Sequence, residues 1–293
     1  MAARWVVIGS GLVLFACGEP AHKSADAGEA ALDSGPALDA GEPDAGPPDA
    51  GVPDAGPLEG LVDLRSLQTA DGGEYSVSMV FGQTGVIPSL LGSFLSAQPT
   101  ACGVMHVGTP TGLGGAGSGN ALLSAGTVTV SDGPSTLFTL MAAADPGFYL
   151  GSASSMLHWS VDDTLTVSAK GADFPAFNAS VLVPGAPAQV TPSFDSATPL
   201  SVSVRSDLSL SWTPGNGDVV QISLGQQTEF VYCGAADTGS LSIPAGDIAQ
   251  LDSAQPAALL VQRVKAAVVQ INANDVVNVQ VASGVGTQVT LTP

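Results

Sequence analysis

Between Gly60 and the C-terminus, apolar and polar residues alternate with a period of two. Tyr75, Val77, Met79 and Phe81 are separated by Ser76, Ser78 and Val80, and the pattern returns at Val128 and Val130, Leu165 and Val167, and Val202 and Val204. It is cleanest at Leu208, Leu210 and Trp212, with Ser209 and Ser211 between, then at Val220, Ile222 and Leu224, at Leu241 and Ile243, and at Val277, Val279 and Val281. Side chains of a strand point alternately to opposite faces, so this pattern predicts strands with one face in a core and the other in water. Asp71-Gly72-Gly73, Asp132-Gly133-Pro134, Asp145-Pro146-Gly147 and Asn216-Gly217 supply turns, and Asn-Gly between the Trp212 and Val220 runs predicts a tight hairpin. Many short strands with few helix formers predict an all-β body built as sandwiches.

Two segments compete with that pattern. Ile87 to Ala97 and Ala257 to Gln270 have helical possibilities, and Pro256 suits a first helical turn. Val261, Val264, Val268 and Val269 are β-branched, however, so the second segment is expected to form two strands. Pro184-Gly185-Ala186-Pro187 interrupts the alternation and divides the body into two expected β-sandwich halves, residues 61–185 and residues 186–293. The second half is expected to be immunoglobulin-like, with Trp212 in its core, although it holds only one cysteine, Cys233.

The first sixty residues differ from the body. Met1 to Arg4 gives a positive start, and Trp5 to Ala16 is uncharged. Twelve helical residues rise about 18 Å against a hydrocarbon core of roughly 30 Å, which is too short for a stable span and fits a signal peptide over residues 1–16. Residues 17–60 are dominated by Ala, Asp, Gly, Pro and Glu, with Asp-Ala-Gly starting at Asp26, Asp39, Asp44, Asp49 and Asp54. Proline blocks helix and sheet and spaced like charges repel, so an extended, disordered tether is expected.

Leu14-Phe15-Ala16-Cys17 resembles the lipobox of bacterial lipoproteins, with Phe15 larger than that pattern's usual residue. The resemblance implies that Cys17 is lipidated and becomes the mature N-terminus, and Gly18 after it implies the outer membrane. The tether resembles the Asp-Ala-Gly-Pro spacers of myxobacterial-type lipoproteins. The stretches Leu208-Ser-Leu-Ser-Trp212-Thr-Pro-Gly215, Val231-Tyr-Cys233 and Asp237-Thr-Gly-Ser240-Leu-Ser-Ile-Pro244 look like a recurring sandwich domain of such bacteria. That group has no assigned activity, so the resemblance implies location and fold.

Charge narrows the partners. The chain carries 26 acidic residues against seven Lys and Arg, a net charge of −19. The body's bases are Arg65, Lys170, Arg205, Arg263 and Lys265, too few and too scattered to neutralise a run of phosphates. Nucleic acid is therefore excluded as a partner, and membrane attachment is expected through the lipid, since an acidic surface is repelled by anionic headgroups. Cys102 and Cys233 are either bridged or separately buried as thiols; a bridge would have to join the two halves.

Catalytic motifs are sparse. Gly112-Leu113-Gly114-Gly115-Ala116-Gly117 matches a dinucleotide fingerprint in spelling, but Pro110 before it and Ser118-Gly119-Asn120 after it do not make the strand and helix that such a loop requires. His158 with Asp162 and Asp163 could join Ser152 or Ser155 in a triad, yet in a serine-rich chain this spacing arises readily, and His158-Trp159 reads better as a strand cap before an Asp162-Asp163 turn. His106 reads as structural, beside Cys102 and Val104. Asp162, Asp163 and Asp173 are the oxygen ligands available for calcium. No cofactor is expected. The function expected is that of a non-catalytic, lipid-anchored envelope protein whose sandwich body binds a protein or glycan or serves structurally. The alternatives are a calcium- or carbohydrate-dependent recognition module and a secreted hydrolase.

Overall fold

The computed structural model describes residues 56–69, 72–84, 102–106, 122–141, 147–154, 159–194, 198–226 and 229–293. The lipobox and nearly all of the tether, the segment Ile87 to Ala97, the glycine-rich stretch from Gly112, Ser155 and His158 lie outside the described residues. The described residues form one compact unit, Gly56–Pro293, and it is all-β apart from one helical turn.

Its strands are β1 (Leu58–Thr69), β2 (Gly72–Gln83), β3 (Cys102–His106), β4 (Val128–Asp132), β5 (Ser135–Leu140), β6 (Phe148–Ser154), β7 (Thr164–Ala169) and β8 (Phe177–Leu182). There follow β9 (Ala188–Thr191), β10 (Leu200–Ser203), β11 (Leu208–Thr213), β12 (Val219–Gly225), β13 (Glu229–Ala235), β14 (Ser240–Ile243), the helical turn α1 (Ala245–Ile248), β15 (Ala257–Gln270) and β16 (Val276–Thr292).

A nine-stranded sheet runs β3-β13-β12-β15-β16-β1-β2-β6, with β10 also paired to β16. Two smaller sheets, β5-β4-β7-β8 and β14-β11-β9, complete the layers. The strand predictions at β7 and β11 translate directly into burial: Leu165, Val167 and Ala169 point inward along β7, and Leu208, Leu210 and Trp212 along β11, with serines and threonines between them. The turn at Gly133-Pro134 joins β4 to β5 as an antiparallel pair, with Gly133 at positive φ where a side chain would be strained.

Two cores result. One is bounded by the four-stranded sheet (Val128, Val130, Leu165, Val167, Ala179) and by Val62, Leu64, Val77, Phe81 and Tyr149 of the large sheet. Phe81 is its hub, with ring centroids 4.9 Å from Phe174 and 5.6 Å from both Tyr149 and Phe177. Tyr149 is fully buried yet satisfied, donating to Gly126 O at 2.8 Å and accepting from Ala125 N at 2.9 Å. The second core lies between the three-stranded sheet (Leu208, Leu210, Trp212, Ile243) and Ile222, Leu224, Val231 and Cys233. Each such side chain, fully buried, contributes about 1.5–3 kcal/mol of transfer free energy.

The division near residue 185 separates the two small sheets and the two cores, but it does not separate the large sheet. The hairpin β15–β16 runs the length of both. Val277, Val279 and Val281 enter the first core, whereas Val289 and Leu291 of the same strand enter the second. The first-half strand β1 pairs in parallel with β16 from Glu59↔Val276 to Gln68↔Val285. Farther along, the same edge of β16 passes to β10, from Leu200↔Val289 to Ser203↔Thr292. Strand β3, also from the first half, adds to β13 on the far edge, where Cys102 lies directly opposite Cys233 and is disulfide-bonded to it.

Three sequence expectations are corrected. Ala257 to Gln270 is one strand of 14 residues, not two, because β12 and β16 pair continuously across Arg263 and the β-branched residues keep the backbone extended. Asn216-Gly217 is not a hairpin turn, since β11 and β12 belong to different sheets and the turn carries the chain from one layer to the other. The polar positions in the middle of the large sheet do not face water: Asp63, Arg65, Gln221, Ser223, Gln262 and Gln280 are all buried.

Candidate functional site

Four of those buried polar residues, Asp63, Arg65, Gln262 and Gln280, bond one another. Arg65 Nε donates to Asp63 Oδ2 at 2.5 Å, Arg65 NH1 donates to Gln262 Oε1 at 3.0 Å, and Gln280 Nε2 donates to Asp63 Oδ1 at 3.0 Å. Two residues apart on β1, Asp63 and Arg65 share a face, which is why a neutral pair can form within a single strand. Burial pushes the phenol of Tyr232 well above its ordinary value; Arg65 draws it back and Asp63 pushes it further up. Within the cluster Asp63 and Arg65 offset each other's charge.

A second polar centre holds the junction between the two small sheets. Arg263, on the inward face of β15, donates from Nε to Asp237 Oδ2 at 2.7 Å, from NH1 to Gly185 O at 2.7 Å and Ala186 O at 3.1 Å, and from NH2 to Thr213 O at 2.7 Å. Asp237 also accepts from Trp212 Nε1 at 2.9 Å and Gly215 N at 3.0 Å. Burial alone would raise the Asp237 carboxyl, but the hydrogen bonds from Arg263 and Trp212, with the Arg263 charge, hold it below its ordinary value. The connector at Pro184 to Pro187, which breaks the alternation in sequence, is thus fixed by a guanidinium reaching it from β15.

Beside this connector opens a cleft of about 330 Å3. Its lining includes Tyr75, Trp159, Val161 and Val183, with Ser66 and Ser283 from β1 and β16. Ser66 Oγ donates to Ser283 Oγ at 3.1 Å. Tyr75 and Trp159 meet edge to face at 4.9 Å, and the indole N–H of Trp159 is buried without a hydrogen-bond partner. None of the described lining residues carries a charge, and Ala186, held by Arg263, forms part of the rim.

The sequence-predicted site residues fall as follows. Asp162 and Asp163 form the turn before β7; Asp162 Oδ1 accepts from Asn216 Nδ2 at 3.2 Å and Asp163 Oδ2 from Ser160 N at 2.5 Å. Asp162 adopts positive φ, a conformation that aspartate tolerates better than most residues. Asp173 occupies a different turn, before Phe174, and among the described residues no three potential ligands group around a metal position. Ser152 lies on β6, and His106 ends β3 at the other edge of the large sheet. Cys102 and Cys233 are joined.

Sequence reasoning missed the cleft. Trp159 reads as a strand cap and Tyr75 as one more alternating core position. Arg263 counts only as a scattered base, although an arginine in phase with Leu259 and Val261 on an inward face was a signal that something polar awaited it. No protein-family model matches the chain, and no curated protein matches it.

Proposed function

We propose that this chain is a lipid-anchored, non-catalytic component of a bacterial outer membrane, held by acylated Cys17 on the 17–60 tether, and that its body works by binding. The reading of the N-terminal region rests on the lipobox resemblance and the charged, repetitive spacer. The observation that carries the binding role is the uncharged, aromatic-walled cleft at the seam between the two small sheets, since ligand sites favour such junctions. Beside it the shared β15–β16 hairpin and the Arg263 centre brace the scaffold, as suits a site formed before its ligand arrives.

Labelling with radioactive palmitate and detergent-phase partitioning test the anchor. The wild-type chain takes label and enters the detergent phase, and Cys17→Ala abolishes both. An unlabelled wild-type chain in the aqueous phase refutes the proposal. A recognition module of the carbohydrate-dependent kind is the second reading, and the mixed aromatic and hydroxyl lining of the cleft is what favours it.

A further inference from the structure

The cleft lining points to a class of occupant, and we infer that this cleft binds a neutral, polyhydroxylated ring of about the size of one sugar unit. This rests on the body being a binding module, but not on the lipid anchor. Size comes first: about 330 Å3 sits at the lower end of the range for small-molecule sites and has room for a single ring.

Charge comes second. The body is strongly acidic, yet its cleft presents no charged side chain among the described lining residues. An anionic ligand would meet repulsion from the surrounding protein and find no cationic side chain among the described lining residues, and a cation would find no carboxylate there.

Chemistry comes third. Ser66, Gln68, Ser160 and Ser283 supply hydroxyl and amide groups, and the half-buried Tyr75 supplies a ring with a polar tip. Val161 and Val183 stand among them as apolar contacts. A pyranose has this same division, with hydroxyls around its rim and C–H groups on its faces, so one molecule can use both kinds of lining.

The test is a titration of the purified full chain followed by tryptophan fluorescence, using glucose, galactose and N-acetylglucosamine as neutral probes and glucuronic acid and glucosamine as charged ones. At least one neutral sugar should give a saturating change, and the charged sugars none. Tyr75→Ala should weaken binding about tenfold, a loss of about 1.4 kcal/mol. Because Tyr75 also touches the first core, Val161→Arg is the second variant; Val161 is exposed, so the fold is kept while a charged chain fills the cleft mouth and abolishes the signal. Saturation by a charged sugar, saturation untouched by Val161→Arg, or no saturation by any neutral sugar each overturns the assignment. None of these outcomes alters the palmitate result, so loss of the cleft assignment and loss of the anchored reading are separately visible.

Discussion

Replacing Arg263 by methionine tests the idea that a single guanidinium joins the two sandwich layers to the shared sheet. The methionine keeps most of the aliphatic stem and removes every donor. Asp237, with a side chain only 5% exposed, is then left as a buried charge without its counter-ion, and Gly185 O, Ala186 O and Thr213 O lose their shared donor. Removing one partner of a buried pair costs about 3–5 kcal/mol. For a unit of this size each kcal/mol moves the melting midpoint by roughly 2–4 °C, so a drop of roughly 6–20 °C is expected by circular dichroism. The double variant Arg263→Met with Asp237→Leu should recover part of this loss, because no charge is stranded. Recovery stays incomplete, since Trp212 Nε1 and Gly215 N lose their acceptor. A single variant that melts within about 1 °C of wild type, or a double-mutant coupling below about 0.5 kcal/mol, would refute the account.

Three further outcomes are expected. Asp237 has its folded pKa lowered, so its native carboxylate binds fewer protons than the unfolded one, and its stabilisation is full above about pH 4 and lost as pH falls through the folded value. Asp237→Asn should therefore flatten the acid limb of the stability profile, and an unchanged limb contradicts this. Glu59 has the opposite sign, because burial raises its carboxyl; Glu59→Gln should raise the urea midpoint at neutral pH, with the gain vanishing once pH falls below about 4. Joining residues 131 apart, the Cys102–Cys233 bridge should contribute about 5 kcal/mol in the chain-entropy model, so the double serine variant should lose most of that in denaturant titration, and a variant as stable as wild type would count against it.

Local pattern made most strands legible, because a strand that buries one face must alternate, as Leu208 to Trp212 does on β11. The same logic failed in the middle of the large sheet. Gln221, Gln262 and Gln280 look like water-facing positions, and only the assembled sheet shows that they lie beside Asp63 and Arg65 within hydrogen-bonding reach. Pairing between distant strands was equally hidden: nothing local in Leu58 to Thr69 names Val276 to Thr292 as its partner, since any apolar alternating strand would fit that edge. The break at Pro184 to Pro187 is visible in the sequence and falls between β8 and β9, but Arg263, which holds it, lies 78 residues from Gly185. The cleft is assembled from five separated segments, and that is why Tyr75 and Trp159 gave no sign of it individually.

Strand β16 (Val276–Thr292) supplies backbone partners to β1 (Leu58–Thr69), at the start of the body. Neither interior can therefore shut until β16 is in place, and β1 must wait, unpaired along that edge, for a strand far along the chain. Pairing over such a sequence distance makes for slow closure and a long-lived open intermediate.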